Sequence, residues 1–173
     1  MAHHYAPRCL CEDRIVGILL PTPSNQTTDE TDLKLLQELQ TDARLSLAEL
    51  GRRVGLSPPA VADRLRRLEE SGVISGYRAD IDPQTLGYDL GAVIRIRPHA
   101  RQIPRVAQIA ADTREIVDCK RITGDDCFLM HLYVRDVQHL EDVIDRFTPF
   151  GQTTTSIVQS SPFPARGVPL SGD

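Results

Sequence analysis

A run of small and basic residues between positions 46 and 67 has the chemistry needed to bind double-stranded DNA. Arginine side chains bind phosphates and guanine edges, and small residues at the start of a helix allow its backbone to approach a groove closely. The candidate DNA-binding residues are Ser46, Ser57, Pro59, Ala60, Asp63, Arg64, Arg66 and Arg67. The alternative is an ordinary corner between two helices, with a basic face turned to solvent.

The spacing of the neighbouring residues predicts two short helices joined by a tight turn. Each helix has one apolar stripe, formed by Leu47, Leu50 and Val54 and then by Val61, Leu65 and Leu68. Gly55 suits the left-handed conformation that ends a helix, Ser57 offers a side-chain oxygen as N-cap, and Pro58 fits the first helical position. The turn, cap, proline and basic face together favour a DNA-binding helix-turn-helix over the solvated corner.

Further signals complete the predicted first domain, residues 29–82. A helix should begin near Thr28 or Asp29, with Thr28 as its N-cap, and Gly72 should end the recognition helix. Alternating residues across 73–81 predict a strand and turn consistent with a wing.

The second half of the chain alternates strand and helix in the order β-α-β-β-α-β. This is the order of a ferredoxin-like domain, an antiparallel sheet with helices on one face. The predicted fold class is α+β, an N-terminal winged helix-turn-helix joined by a hinge at residues 83–88 to a ferredoxin-like domain at residues 89–160. The other face of the sheet would be uncovered in a monomer, so we expect oligomerisation. Residues 1–28 and 161–173 are expected to be a flexible extension and a flexible tail.

Two pairs of residues could contribute to a metal site, and neither pair is sufficient. Nothing near Cys9 and Cys11 completes a tetrahedral set of ligands. If the turn between the second and third strands is centred on Asp125, Cys119 and His131 face each other on those strands. A half-buried cysteine beside a histidine is more often packing than a ligand pair. We therefore predict no metal site.

Composition and charge limit the classes of function. The 173 residues suit two small domains, and a net charge of −4 argues against a protein that coats DNA with its whole surface. Arginines nevertheless gather in the first domain, at Arg44, Arg52, Arg53, Arg64, Arg66, Arg67 and Arg78. The four irregularly spaced cysteines do not suit a disulfide scaffold, and no apolar run has the length of a membrane helix. We expect a cytoplasmic protein.

Several stretches of the sequence resemble the Lrp/AsnC family of feast/famine transcription regulators. They are DLKLLQELQ from residue 32, DARLSLAELGRRVGLSP from residue 42, RLRRLEESGVISGY from residue 64, and the later IDP. The resemblance covers residues 31–160, and its N-terminal motif is highly specific. It implies a winged helix-turn-helix followed by a ligand-sensing βαββαβ domain, hence a sequence-specific regulator of genes of amino-acid metabolism.

The resemblance also implies a site for an amino-acid effector. From the residues alone, 123–127 indicate a tight hairpin, for which Gly-Asp is a common signal. The family carries a Gly-Asp-aromatic-Asp loop here, and only Gly124 and Asp125 match it. Asp126 replaces the aromatic residue and Cys127 replaces the second acid. Glycine would let main-chain N–H groups approach a ligand carboxylate, and Asp125 would hold its ammonium group. The expected effector residues are Thr123, Gly124, Asp125, Asp126 and Cys127, with Thr155, Ser156 and Ile157 flanking the pocket across an oligomer interface.

The predicted partners are promoter DNA, an amino acid and further copies of the chain, as homodimers that assemble into an octamer under the influence of the ligand. No cofactor is expected. One rival is an enzyme, because siroheme decarboxylases are similar in both domains, but the basic recognition helix and the lack of a histidine cluster argue against it. The other rival is an architectural DNA-binding protein that ignores ligands, which would lack a sharp footprint that changes with ligand.

Overall fold

The computed structural model describes residues 28–170, which divide into two compact units. The helical unit contains residues 28–80 together with 165–170, and the sheet unit contains residues 81–164. Within the described range, no helix is long and apolar enough to cross a membrane.

The helical unit is built from α1 (Glu30–Thr41), α2 (Leu47–Val54) and α3 (Pro58–Glu70). Each helix contributes one fully buried side chain to a shared core, and these are Leu35, Leu50 and Val61. Leu50 and Val61 belong to the apolar stripes predicted from the sequence, whereas Leu47 of the first stripe is exposed. The shared core holds α3 in place by its inner face.

Asp29, rather than the predicted Thr28, is the N-cap of α1. The side chain of Asp29 accepts a hydrogen bond from the main-chain N–H of Asp32, and the side chain of Asp32 accepts one from the N–H of Asp29. This reciprocal pair satisfies two donors that the helix itself leaves open, which threonine at position 28 could not do from one residue further back.

The predicted wing strand is wrong. Residues 73–82 form an extended segment, here called the arm, with no strand pairing in the described chain. Alternation favours a strand only where a neighbouring strand supplies hydrogen bonds, and the sequence pattern carries no information about that neighbour. At the start of the arm Gly72 has a φ of 75°, so the recognition helix ends where predicted. After the arm, the expected hinge contains a short 3-10 turn, Pro83–Leu86, capped at its start by Asp82.

The sheet unit confirms the predicted βαββαβ order. Its elements are β1 (Leu90–Pro98), α4 (Ile103–Asp112), β2 (Ile116–Arg121), β3 (Phe128–Val134), α5 (Val137–Asp145) and β4 (Gly151–Ile157). The strands lie in the order β2-β3-β1-β4, and all three pairings are antiparallel.

One face of the sheet packs against α4 and α5. Its side chains are fully buried at Ile94, Ile96, Phe128, Met130, Leu132 and Val134. In α5, Val143 lies buried against this core, whereas Val137 is exposed. The alternate residues of β1 and β3 form the opposite face, here called the open face, because no helix of the sheet unit covers it. It includes Val93, Arg95, Leu129, His131 and Tyr133.

Candidate DNA-binding and effector-binding sites

The main chain between α2 and α3 makes the tight turn of a helix-turn-helix. Gly55 has φ 73° and ψ 32°, the left-handed conformation predicted for it. The N–H of Leu56 then donates to the carbonyl oxygen of Gly51 at 2.9 Å. A Cβ on Gly51 would overlap the carbonyl oxygen of Leu56, so the turn closes only on a glycine. Sequence reasoning missed Gly51, because a glycine inside a helix gives no sign of what packs against it.

The two serines at the helix starts have different roles. The Ser46 side chain accepts a hydrogen bond from the N–H of Glu49 at 3.2 Å and caps α2. Ser57 stands at the N-cap position of α3 but makes no cap hydrogen bond through its side chain, contrary to prediction. Pro58 and Pro59 lack N–H groups, which leaves the N–H of Ala60 as the remaining donor for a side-chain cap, and Ser57 does not accept from it. The Ser57 side chain is exposed, ahead of the first turn of α3.

The outer side of α3 carries most of the predicted DNA-binding residues. Pro59, Asp63, Arg66 and Arg67 are exposed, and Ala60 is half-buried. Arg66 lies 3.1 Å from a carboxylate oxygen of Glu70 and 3.7 Å from one of Asp63, both on the surface. Arg67 forms no ion pair within residues 28–170. Exposed ion pairs contribute little stability, so Arg66 can exchange its ion pairs for a phosphate contact at a small cost in free energy. Within that range, Arg67 has no such ion pair to exchange.

Arg64 is the exception among the predicted DNA contacts. Its Nη1 lies 2.6 Å from Oδ2 of Asp29 and 2.7 Å from Oδ1 of Asp32, so it is bound to the two residues that cap α1. These hydrogen bonds lower the pKa of Asp29. The Arg64 side chain is only 23% exposed. The expectation that it presents a free guanidinium beside the recognition face is therefore corrected, because Arg64 joins α3 to the start of α1.

A second charged network joins α1 and α2. Glu49 accepts hydrogen bonds from Arg52 and Arg53, which lower its pKa to about 2. Arg53 also donates to Glu38 of α1 at 2.6 Å. Two of the seven arginines that the sequence assigns to a basic surface are thus neutralised within the helical unit. The exposed basic surface therefore contains fewer unpaired arginines than the sequence indicates.

Tyr77 in the arm is bound to the far end of α3. Its hydroxyl donates to a carboxylate oxygen of Glu69 at 2.9 Å. Burial and this hydrogen bond raise the pKa of Tyr77 to about 12. This hydrogen bond holds the arm, where the wing strand was expected, against the recognition helix. The alternation of residues in the sequence did not predict this side-chain contact.

The predicted effector loop, residues 123–127, connects β2 to β3 as a short hairpin. The N–H of Ile122 donates to the carbonyl oxygen of Cys127 at 3.0 Å, and the N–H of Cys127 donates to that of Ile96 in β1 at 2.8 Å. Gly124 has a φ of 111°, which side chains with a Cβ rarely adopt, and a Cβ there would meet nothing within 4 Å. The loop is therefore a hairpin, as the residues alone indicate, with open space beside its glycine.

The charged side chains of the loop face arginines of β1. Arg97 donates through Nε to the main-chain oxygen of Asp125 at 2.9 Å, and its Nη2 lies 3.3 Å from Oδ2 of the same residue. Arg95 Nε lies 4.0 Å from Oδ2 of Asp126. Thr123 is exposed, whereas Cys127 packs against the helix-side core.

The predicted β4 residues lie on a strand that is not joined to this loop in sequence. The loop adjoins the β2–β3 edge of the sheet, whereas β4 forms the opposite edge. Ser156 pairs with Val93 and shares the open face, while Thr155 and Ile157 pair with Ile94 and Ala92 and point to the other side. The three predicted β4 residues therefore do not lie on one face of the sheet.

The structure also corrects the strand register that was expected to place Cys119 opposite His131. Cys119 pairs with Met130, and Asp118 is the residue opposite His131. This register follows from a turn centred between Gly124 and Asp125, and a bulge between Ile116 and Asp118 shifts the pairing only before Asp118. Among the described residues, no three His, Cys, Asp or Glu side chains come together as a metal site, and Cys9 and Cys11 lie outside them.

A cavity of about 530 Å³ lies at the start of β1, away from the loop. Its lining includes Tyr88, Asp89, His131 and Tyr133, together with residues that follow β4. Sequence reasoning did not find this cavity, because its walls come from segments far apart in the chain. The sheet unit therefore offers two places for a small molecule, of which only the loop was predicted.

Comparisons with known proteins agree with this geometry. A winged helix-turn-helix DNA-binding domain matches residues 28–75, and the Lrp/AsnC ligand binding domain matches residues 91–168. The HTH-type transcriptional regulator LrpC of Bacillus subtilis is 33% identical over 132 residues, which are 76% of this chain and 92% of that protein. The chain belongs to the Lrp/AsnC family of transcriptional regulators. It is therefore a DNA-binding regulator with a ligand-binding domain.

Solved structures of other Lrp/AsnC regulators have the same fold. A transcriptional regulator from Neisseria meningitidis, in complex with L-Met, has a TM-score of 0.77 at 29% identity and covers 83% of this chain and 97% of its own. The feast or famine regulatory protein of M. tuberculosis, complexed with L-methionine, has a TM-score of 0.76 at 32% identity and covers 82% and 99%. These relatives are regulators, which leaves the enzyme alternative without support.

Proposed function

We propose that this Lrp/AsnC regulator binds promoter DNA through the outer side of α3 and responds to an amino acid bound beside the loop at residues 123–127. The observation that supports the first part is the arrangement of α3, whose inner face is fixed in a three-helix core while Arg66 and Arg67 stand on its exposed side. Two small residues, Ser57 and Pro59, precede them at the exposed helix start. Backbone approach followed by arginine contact is how a recognition helix reads the major groove.

The proposal for the effector rests on the loop and on the relatives. Gly124 leaves open space where a ligand can approach the main chain, and charges of both signs lie beside it at Asp125 and Arg97. Two related regulators are bound to L-methionine. We assign the sensing function to this loop rather than to the cavity at the start of β1, because the loop alone combines a positive-φ glycine with paired opposite charges.

The uncovered sheet supports the proposal that the regulator works as an oligomer, as homodimers that assemble further into an octamer. A second copy would cover the open face, and another dimer could bring its Thr155, Ser156 and Ile157 to the loop. The resemblance of the sequence to one member, the mycobacterial regulator of alanine dehydrogenase, does not narrow the proposal, because relatives about one-third identical do not single out one member.

The test is a promoter-binding titration of the full chain, at one stated salt concentration, with each amino acid added singly. We expect a sharp footprint and a shift in affinity with at least one amino acid. Gly124→Thr should keep ligand-free DNA binding and lose the response, because the bulkier side chain fills the open space beside the loop. Gly124→Ala is the control, since it carries the same backbone strain with less bulk. A broad footprint that no amino acid changes would favour the architectural alternative.

A further inference from the structure

Two arginine–aspartate pairs lie side by side at the end of β1, and they differ in how tightly they are closed. Arg97 and Asp125 are in direct contact, with a hydrogen bond of 2.9 Å to the main chain and a 3.3 Å ion pair. Arg95 and Asp126 are 4.0 Å apart, beyond hydrogen-bond range. The first pair is closed, and the second pair has a gap between its charges.

The open pair is also the less exposed of the two. The Asp126 side chain is 24% exposed, whereas that of Asp125 is 92% exposed. Half-buried Leu129 lies opposite Arg95 on β3 and limits water on that side. Charge interactions strengthen as water is excluded, so a ligand gains more from Asp126 than from Asp125.

Both arginines stand on the open face. They alternate along β1 with Ile94 and Ile96, which are fully buried on the helix side. Cys127, which replaces the acid of the family pattern, packs against that helix-side core. One residue earlier, the carboxylate of Asp126 lies next to Arg95.

We propose that Arg95 and Asp126 form the clamp for the effector's zwitterion, with Arg95 binding the α-carboxylate and Asp126 the α-ammonium group. The inference rests on the effector site proposed above and reassigns the ammonium contact that the sequence gives to Asp125. Guanidinium and carboxylate form paired, charge-assisted hydrogen bonds, and the remaining donors and acceptors of Arg95 and Asp126 are available for them. The Arg97–Asp125 pair has a positioning role, because it holds the loop against β1.

The experiment measures binding of three ligands to the full chain by calorimetry. They are L-methionine, L-methioninamide, which lacks the carboxylate, and 4-(methylthio)butanoate, which lacks the ammonium group. Arg95→Gln should weaken L-methionine binding about 10- to 100-fold, as expected for a lost charge-assisted hydrogen bond, and leave methioninamide binding unchanged. Asp126→Asn should weaken L-methionine similarly and leave the butanoate unchanged.

The controls separate a clamp from a merely supporting role. Arg97→Gln should weaken all three ligands by the same factor, because a loosened loop affects each of them equally. Lys120→Gln removes a cation from the open face in register with Leu129 and should change nothing. The clamp is overturned if Arg95→Gln weakens the acid and the amide equally, or if Asp125→Asn, rather than Asp126→Asn, removes the preference for an ammonium group.

The outcome for the wild-type chain distinguishes this inference from the proposed function. L-Methionine is the first probe, and the same acid, amide and deaminated trio is used for whichever amino acid changes promoter binding most. Binding of an amino acid by the wild-type chain, with equal losses for all three ligands in Arg95→Gln and in Asp126→Asn, contradicts the clamp and leaves the sensing function intact. Absence of binding by every amino acid contradicts both.

Discussion

At the scale of single residues, two arginines of α3, Arg64 and Arg67, have different roles. Arg64 is held by Asp29 and Asp32, with nitrogen–oxygen distances of 2.6 and 2.7 Å, while Arg67 is exposed and forms no ion pair within residues 28–170. Sequence spacing gives both residues a place off the apolar stripe, and it therefore predicts the same behaviour for both. The difference depends on where α1 begins, more than thirty residues earlier, and local spacing carries no record of that.

We expect Arg64→Ala to lower the free energy of unfolding by about 1–3 kcal/mol, because Asp32 would lose the partner of a largely buried carboxylate. Arg67→Ala should leave stability unchanged and weaken DNA binding across sequences, with the salt slope reduced by about 0.9 if Arg67 contacts one phosphate. Urea unfolding and promoter titration at several salt concentrations measure the two effects. Equal stabilities for the two variants, with a reduced salt slope for Arg64→Ala alone, would indicate that Arg64 contacts DNA and is not needed for stability.

At the scale of elements, the helix-turn-helix depends on the close approach of Gly51 to the carbonyl oxygen of Leu56, which helix propensity does not reveal. We expect Gly51→Ala to destabilise the chain by about 1–3 kcal/mol, since the added Cβ overlaps the carbonyl oxygen of Leu56 and the turn must shift. An exposed glycine in a helix would instead gain about 0.5–1 kcal/mol on the same change. Ala48→Gly in the exposed part of α2 is the matched control and should cost about 0.5–1 kcal/mol. Thermal unfolding of both variants decides, and a stabilised Gly51→Ala protein would contradict the packing of this turn.

The elements also show what the sequence can and cannot predict. Period-two burial predicted Phe128, Met130, Leu132 and Val134 correctly, because one covered face imposes one pattern. The same period failed in the arm, where no strand lies alongside residues 73–82 in the described chain. The turn is centred between Gly124 and Asp125 rather than on Asp125, so Asp118, not Cys119, lies opposite His131, and nothing in the local composition marks this difference. For the effector site, the loop and its glycine were predicted, but its arginine partners on β1 depend on pairing between distant strands.

At the scale of the whole molecule, we expect the open face to link assembly to DNA binding. Leu129 lies near its centre, in register with Arg95 on one side and Lys120 on the other. In an isolated chain, the carboxylate introduced by Leu129→Glu can form ion pairs with these two cations. We therefore expect the fold to be retained, which circular dichroism checks. In an assembly where a second copy covers this face, the same carboxylate would be buried at a cost. We therefore expect the wild-type chain to be oligomeric by light scattering and the variant to form smaller species.

DNA affinity should follow that change in assembly. Two recognition helices in one oligomer would bind two half-sites at the same time. Dissociation of the oligomer should therefore lower DNA affinity by a factor on the order of 10²–10⁴. Val137→Glu is the matched control, because it places the same charge at an exposed position of α5, the helix side of the sheet, and should alter neither mass nor affinity. A wild-type chain that is monomeric at tens of micromolar, roughly where micromolar interfaces hold, would contradict the oligomer. If Leu129→Glu has wild-type mass and promoter affinity, the interface lies elsewhere, because burying a carboxylate at the centre of the open face would weaken the assembly.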